Sequence, residues 1–272
     1  RARIIFRVMP MTKRAFSLVE LSIVLVILGL LVGGVLSGQS LIRAAELRAF
    51  PTEVGRYVAA VQTFRDKYFA IPGDMNNAIS FWGAADSGDG TGNDCHIASS
   101  SSAATCNGDG NGSISYSITT IGNESFRFWQ QLANAGLIEG NYTGVAAGAA
   151  SGSRTVELGV NTPRSKISSM GYTIYDWGTL TSTGYSWDGY YGHVFQFGAQ
   201  EAVPDIYEAV VLKPEEMWNI DTKIDDGRPG TGKLRTYFLG GTCTNVTTDP
   251  ALGEYLLSNN SKACWGTFST GF

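Results

Sequence analysis

The sequence predicts an α+β fold, in which a long N-terminal helix packs on an antiparallel β-sheet head with long, disulfide-stapled loops. The first reason is an almost unbroken apolar run over residues 16–36. The second is the spacing over residues 47–68, where apolar side chains recur at three- and four-residue steps, as on one face of a helix. The third is the remainder of the chain, where short apolar runs typical of strands alternate with Gly- and Ser-rich segments.

Charge and composition exclude one class of partner and favour one kind of compartment. The 272 residues carry a formal net charge of −4, and 16% of them are charged. Nucleic-acid-binding surfaces usually show as basic patches or stripes, so we predict no nucleic-acid partner. The few charges, together with 34 glycines, favour a loop-rich extracytoplasmic head over a cytosolic helical enzyme.

The apolar run is long enough to cross a membrane. Residues 16–36 would form about 31 Å of helix, close to the ~30 Å hydrocarbon core of a bilayer. Lys13 and Arg14 precede the run, and Arg43 lies well beyond it. Since basic residues accumulate on the cytoplasmic side of membrane helices, the N-terminal end is expected to stay in the cytoplasm.

One acidic residue, Glu20, interrupts the apolar run. A charged side chain costs ~2.5–3.5 kcal/mol at the centre of a membrane helix and less near its end, so a functional partner is expected. Cleavage between Ala15 and Phe16 would release an α-amino group one helical turn from Glu20, at the positive end of the helix dipole. The alternative is a glutamate that reaches the lipid headgroups of an ordinary signal anchor.

Residues 13–21 (KRAFSLVEL) resemble the prepilin cleavage and methylation motif of type IV pilins and type II secretion pseudopilins. The resemblance implies that a prepilin peptidase cuts before Phe16 and methylates its amine, and that Glu20 guides subunit registration. Two residues depart from the family pattern. Ala15 stands where the family usually has Gly, and Ser37 stands where many members have a helix-kinking Pro.

The same resemblance implies a structural subunit, not an enzyme, of a type IV pilus or type II secretion pseudopilus. The size of the head favours a minor or tip-proximal subunit. The implied partners are other pilin or pseudopilin subunits, prepilin peptidase, the inner-membrane assembly platform, and membrane lipid before assembly. The implied location is the bacterial inner membrane, with a single pass and a periplasmic head, and then a periplasmic or extracellular filament.

Two other classes of function stay open. One is a signal-anchored extracytoplasmic binding or adhesion protein that does not polymerise. The other is an anchored enzyme with a hydrolytic centre on His193, although the sequence contains no nucleophile-elbow motif.

The chain is predicted to divide into four segments and to contain three further helices and four strands. The segments are upstream sequence and leader (1–15, starting at Met11 or Met9), transmembrane helix (16–37), amphipathic helix of the head (38–70), bent at Pro51, and globular head (71–272). The helices are 75–82, Glu124–Asn134 and Pro214–Ile224, and the strands are Tyr172–Asp176, Val194–Phe197, Ala209–Leu212 and Leu234–Leu239.

Four cysteines in an exported chain favour disulfides, and three connectivities are open. The preferred pairs are Cys95–Cys106 and Cys243–Cys264, because each encloses a short polar loop. The second loop also resembles the disulfide-bounded loop of pilin heads. The alternative is four free, buried thiols.

A Gly-, Asn- and Asp-rich loop makes calcium a candidate cofactor. Asn107, Asp109 and Asn111 match the first half of an EF-hand-like loop, and calcium in loops is a property of pseudopilins. Ile118 stands where that motif needs its final acid, so other acids must complete the site. The candidates are Asp86, Asp89, Asp94 and Glu124. The alternative is a solvated turn without metal. A second cation candidate consists of Asp221, Asp225 and Asp226.

Overall fold

A computed structural model of the chain describes most of the predicted head and all of the apolar run after Phe16. The predicted leader, the Ala15–Phe16 bond, Asp86, Asp89, Asp94 and Cys95 lie outside the described residues. The described residues are 17–85, 103–115, 124–146, 156–181, 186–200, 209–237, 241–245 and 249–272.

The chain divides into two compact units, residues 1–45 and 46–272. Helix α1 (Leu18–Tyr68, 51 residues) contributes to both. In the first unit, all side chains of residues 17–37 are exposed, although an 18-residue window of this helix has a mean hydropathy of 2.6. By length and composition, α1 can therefore cross a membrane.

In the second unit, α1 buries one face against the head. Its buried residues fall at three- and four-residue steps, as the amphipathic pattern predicts. The helix runs through Pro51 without interruption, and the predicted bend at that residue stays a prediction. The buried residues are Phe50, Glu53, Val54, Tyr57, Ala60, Val61 and Phe64.

In the described part of the head, three shorter α-helices follow, together with a 3-10 helix over Pro250–Leu252. α2 is Ile79–Trp82, α3 is Glu124–Asn134 and α4 is Pro214–Ile224. The predicted bounds of α3 and α4 are confirmed. The prediction of a helix over 75–82 was too long, because the amide of Ile79 donates to Asn107 Oδ1 and the residues before it form a turn.

The described part of the head contains six strands: β1 (Met170–Asp176), β2 (Thr179–Leu180), β3 (Gly189–Tyr190), β4 (His193–Ala199), β5 (Leu234–Thr236) and β6 (Gly266–Ser269). Four of them form an antiparallel sheet in the order β1-β4-β6-β5, and β2 and β3 form a separate two-stranded ribbon. Together with α1 and the disulfide described below, this sheet confirms the predicted α+β fold class.

Two strand predictions need correction. Residues 209–212 form no ladder but two isolated bridges, Ala209 to Ala199 and Leu212 to Cys264. Two consecutive amides of this segment donate to the same Cys264 carbonyl, so the pairing is irregular in the manner of a β-bulge and no regular ladder forms. β5 ends at Thr236, and Leu239 lies outside the described residues. β6 was not predicted, because a four-residue strand that begins with glycine has little strand signal.

The core lies between α1 and one face of the sheet. Tyr172 pairs with Phe197 across β1 and β4, and alternation along each strand places both rings on the same face. Phe50 meets Phe197 edge-on at 4.7 Å between ring centroids, and Tyr57 meets Tyr172 at 5.4 Å. Edge-to-face pairs at these distances are favourable, so an aromatic layer fixes the head half of α1 on the sheet.

The Cys243–Cys264 disulfide closes the last loop of the head. Its Cα atoms are 5.0 Å apart, and 21 positions separate the two residues. This predicted pair is confirmed, and a loop of that length is stabilised by about 3 kcal/mol in the loop-entropy model. Cys106 is also disulfide-bonded, whereas Cys95, its predicted partner, lies outside the described residues.

Candidate functional site

The N-terminus of α1 carries a capping box built from Ser17 and Glu20. The Ser17 amide donates to Glu20 Oε2 at 2.9 Å, and Ser17 Oγ accepts from the Val19 amide at 3.3 Å. The Ser17 carbonyl accepts the first helical bond, from the Leu21 amide. Ser17 is therefore the N-cap and Glu20 the third helical residue, which is the S-x-x-E arrangement that satisfies the open amides of a helix start.

Among the described surroundings of Glu20, the N-terminal end of the helix favours a negative charge, and the neighbouring side chains do not. The carboxylate lies in the first turn, where the helix dipole is positive. Its neighbours along the helix are apolar and exposed, with Leu18 at 86% and Leu21 at 54% exposure. Among the described residues of the first unit, no cation contacts this carboxylate.

Residues 10–36 match the family model for the prokaryotic N-terminal methylation motif. The chain carries a prepilin-type signature. This signature is that of type IV pilins and pseudopilins, and the predicted resemblance is confirmed. No curated protein and no solved structure matches the chain significantly.

The prepilin signature supports a processed subunit of the pilin or pseudopilin type, anchored through its apolar helix. The motif includes Ala15, Phe16 and Glu20, the residues predicted for processing and assembly. Of these, the structure describes Glu20. The roles assigned to all three stay predictions.

A second group of residues, the loop carboxylates Asp74, Asp109 and Glu124, lies in the head. One oxygen of each lies within 4.8 Å of the others. Asp74 accepts hydrogen bonds from the amides of Asn111 and Gly112 at 3.0 and 2.9 Å. Glu124 accepts from two further loop amides, at 3.2 and 2.7 Å. The loop therefore wraps around two buried carboxylates.

The predicted calcium ligands are only partly brought together. Asp109 joins the loop carboxylates. The side-chain oxygens of Asn107 and Asn111 instead accept from the backbone amides of Ile79 and Ser113. Asp86 and Asp89 lie outside the described residues. Calcium binding stays a prediction, and the structure adds Asp74 to its candidate ligands. The spacing motif did not indicate Asp74, because this residue comes from a distant turn.

Burial controls the protonation of the loop carboxylates. It raises the pKa of Asp74 to about 6 and the pKa of Glu124 to about 7. Donation from backbone amides lowers both pKa values, and the negative charge of Asp109 raises them. Near neutral pH, two buried acids therefore bind protons more tightly than they would in water.

The second cation candidate, Asp221, Asp225 and Asp226, also has its oxygens within 4.8 Å of one another. Asp221 is fully buried and accepts a 2.7 Å hydrogen bond from the Tyr255 hydroxyl. Burial raises the pKa of Asp221 to about 7. Asp225 and Asp226 accept from the amides of Lys233 and Arg228 in the loop between α4 and β5, so these acids hold the loop in place.

His193 has both ring nitrogens engaged by the backbone. Nε2 accepts from the Ile114 amide at 3.2 Å, and Nδ1 lies 3.0 Å from the Phe272 backbone oxygen. Because Nε2 accepts, Nδ1 carries the proton and donates. A general base needs a nitrogen free to take a proton, so the geometry of His193 fits a structural role.

Proposed function

We propose that this chain is a structural subunit of a type IV pilus or type II secretion pseudopilus, processed by prepilin peptidase and assembled through α1. The observation that carries the proposal is the carboxylate of Glu20, which caps the first turn of an exposed apolar helix and lies inside a prepilin-type signature. A charged side chain in a membrane helix costs free energy, and a helix that only anchors the chain needs no charge at that position.

The proposed mechanism is an exchange of partners by Glu20. Before cleavage, Oε2 accepts from the Ser17 amide. Cleavage before Phe16 supplies an ammonium group about one turn away, and an ion pair between two full charges replaces that single hydrogen bond from a neutral amide to the carboxylate. The amine of a neighbouring subunit can serve equally well. Because the pairing is strongest where water is excluded, it favours the packed filament over the dispersed membrane state.

The finer assignments follow the same proposal. A head of residues 46–272 with its own core supports a minor or tip-proximal position. The partners are other pilin or pseudopilin subunits, prepilin peptidase and the assembly platform of the bacterial inner membrane. The head lies in the periplasm before assembly and on a periplasmic or extracellular filament afterwards.

Charge removal at Glu20 tests the proposal. Glu20→Gln and Glu20→Leu are expressed with a prepilin peptidase and an assembly system, and the sheared filament fraction is compared with the membrane fraction. Both variants should insert into the membrane but be absent from filaments. Glu139→Gln, at an exposed loop position, is the matched control and should assemble normally.

Normal incorporation of both Glu20 variants into filaments would overturn the proposed role of the charge. If the unaltered chain itself stays in the membrane and never enters filaments, a non-polymerising anchored binding protein becomes the better assignment.

A further inference from the structure

We propose that Ser17 is a positioning residue for the processing step, because its capping box with Glu20 starts α1 at Leu18, two residues after the predicted cleavage point before Phe16. The inference rests on the proposed function, since it concerns cleavage by prepilin peptidase. The motif match covers this segment but assigns no role to Ser17.

The sequence before Ser17 would otherwise extend the helix. Ala15 is the best helix former, and Lys13 and Arg14 are also favourable. The nearest residue upstream that commonly caps a helix is Thr12. Without a stop at Ser17, the helix can therefore grow back by about one turn, across the bond to be cut.

The capping box supplies that stop. A further helical turn toward Thr12 would place Ser17 inside the helix and give its amide a carbonyl partner. In the structure, Glu20 Oε2 occupies this amide and Ser17 Oγ occupies the amide of Val19. Both groups that would propagate the helix are satisfied locally, so α1 begins at Leu18.

A helical peptide bond is a poor protease substrate. Its carbonyl is hydrogen-bonded within the helix and its backbone is surrounded by side chains, whereas an extended chain presents its backbone to a binding cleft. Moving the helix start upstream therefore lowers the population of cleavable chain. Glu20→Gln separates the cap from the charge, because it keeps an oxygen that can accept from the Ser17 amide but carries no charge: cleavage should follow the cap, and assembly should follow the charge.

The test is the cleavage rate of the full-length chain by prepilin peptidase in detergent or vesicles. Ser17→Ala removes the cap and should lower kcat/KM about fivefold, the factor that corresponds to the loss of a typical N-cap. Ser17→Thr and Ser17→Asp keep a capping oxygen and should be cleaved at close to the original rate. Ser22→Ala is the matched control, because Ser22 Oγ donates to the Val19 carbonyl and caps nothing.

Three results would overturn the inference. If Ser17→Ala is cleaved as fast as the unaltered chain, the cap does not position the bond. If Ser17→Thr and Ser17→Asp are as slow as Ser17→Ala, the peptidase recognises the serine itself and capping is irrelevant. If the unaltered chain is not cleaved, the proposed function fails and the inference fails with it. If the unaltered chain and Ser17→Ala are both cleaved rapidly, the inference about Ser17 is wrong but the proposed function stands.

Discussion

The hydroxyl of Tyr172 in β1 donates a 2.7 Å hydrogen bond to Oε2 of Glu53 on α1, across 119 positions of sequence. Both residues are buried. Glu53 also accepts from Ser165 Oγ at 2.6 Å and from the Lys166 amide at 2.7 Å. A buried carboxylate requires such donors, and here three of them come from the head. This contact fixes the register of α1 against the sheet.

Tyr172→Phe should destabilise the head by about 2 kcal/mol, because hydrogen bonds to charged groups are stronger than neutral ones. The two remaining donors keep Glu53 satisfied, so the fold should survive. Thermal or urea unfolding monitored by near-UV circular dichroism measures the effect. Tyr190→Phe, at a tyrosine with 71% exposure, should change stability by less than ~0.5 kcal/mol. Equal losses in the two variants would contradict this account of Glu53.

Gly108 lies where a side chain cannot fit. A Cβ at this position would come within 2.4 Å of the Asp74 Cα and of the Gly73 carbonyl oxygen. Both are backbone atoms and cannot move aside without displacing the turn. Gly108→Ala should therefore lower stability by ~2 kcal/mol or more, as other overpacked sites do.

Gly55→Ala is the control for Gly108→Ala. Gly55 lies within α1 with open space around its Cβ position, so alanine should raise stability by up to ~1 kcal/mol through helix propensity. If both variants shift the unfolding midpoint in the same direction, the close approach of the loop to Asp74 does not control stability.

The head should lose stability as the pH rises from about 4 to about 7. Glu124 has its pKa raised from 4.5 to about 7, and Asp74 from 3.8 to about 6. The folded state therefore binds these protons more tightly than the unfolded chain does. The resulting stability is complete below the ordinary pKa values and is lost as pH rises through the folded ones. Asp221 contributes in the same direction.

Unfolding midpoints between pH 4 and pH 8 measure this dependence. Glu124→Gln imitates the protonated acid, so it should reduce the loss of stability with rising pH. The loss that remains should come from Asp74 and Asp221. A stability that rises steadily from pH 4 to pH 7 in the unaltered chain would show that these carboxyls are charged in the folded head.

Calcium should raise the unfolding temperature at pH 8, where the loop carboxylates are ionised, if Asp109 and its neighbours bind the ion. Asp109→Asn should abolish the increase, because it removes an exposed ligand without opening the core. Glu215→Gln, at an exposed acid on α4, should retain it. An identical unfolding temperature with calcium and with a chelator would mean that amides and protons alone hold this loop.

Local signals explain most of what the sequence predicts correctly. The apolar run and the three- and four-residue spacing indicate α1, and Pro214 at the first turn indicates α4. These signals act within one or two turns, so a single sequence contains them. Ser17 belongs to the same class. Its S-x-x-E pattern with Glu20 indicates a helix start from the sequence alone.

Contacts between distant segments explain what the sequence did not predict. Asp74 lies beside Asp109 and Glu124 because Gly108 packs closely against the turn at residues 73–74. Glu53 contacts Tyr172 only once the sheet has formed. β6 is a strand because β4 and β5 pair with it on both sides. Tertiary context outweighs the weak local preference of such a short segment.

The mass of the mature N-terminus tests the central claim most directly. The full chain is expressed with prepilin peptidase, purified from membranes and digested, and its N-terminal peptide is sequenced by mass spectrometry. The account predicts a peptide that begins at Phe16 and carries a methyl group on its α-amine. A mature protein that retains Met11 through Ala15, or one that begins beyond the apolar run, would contradict it.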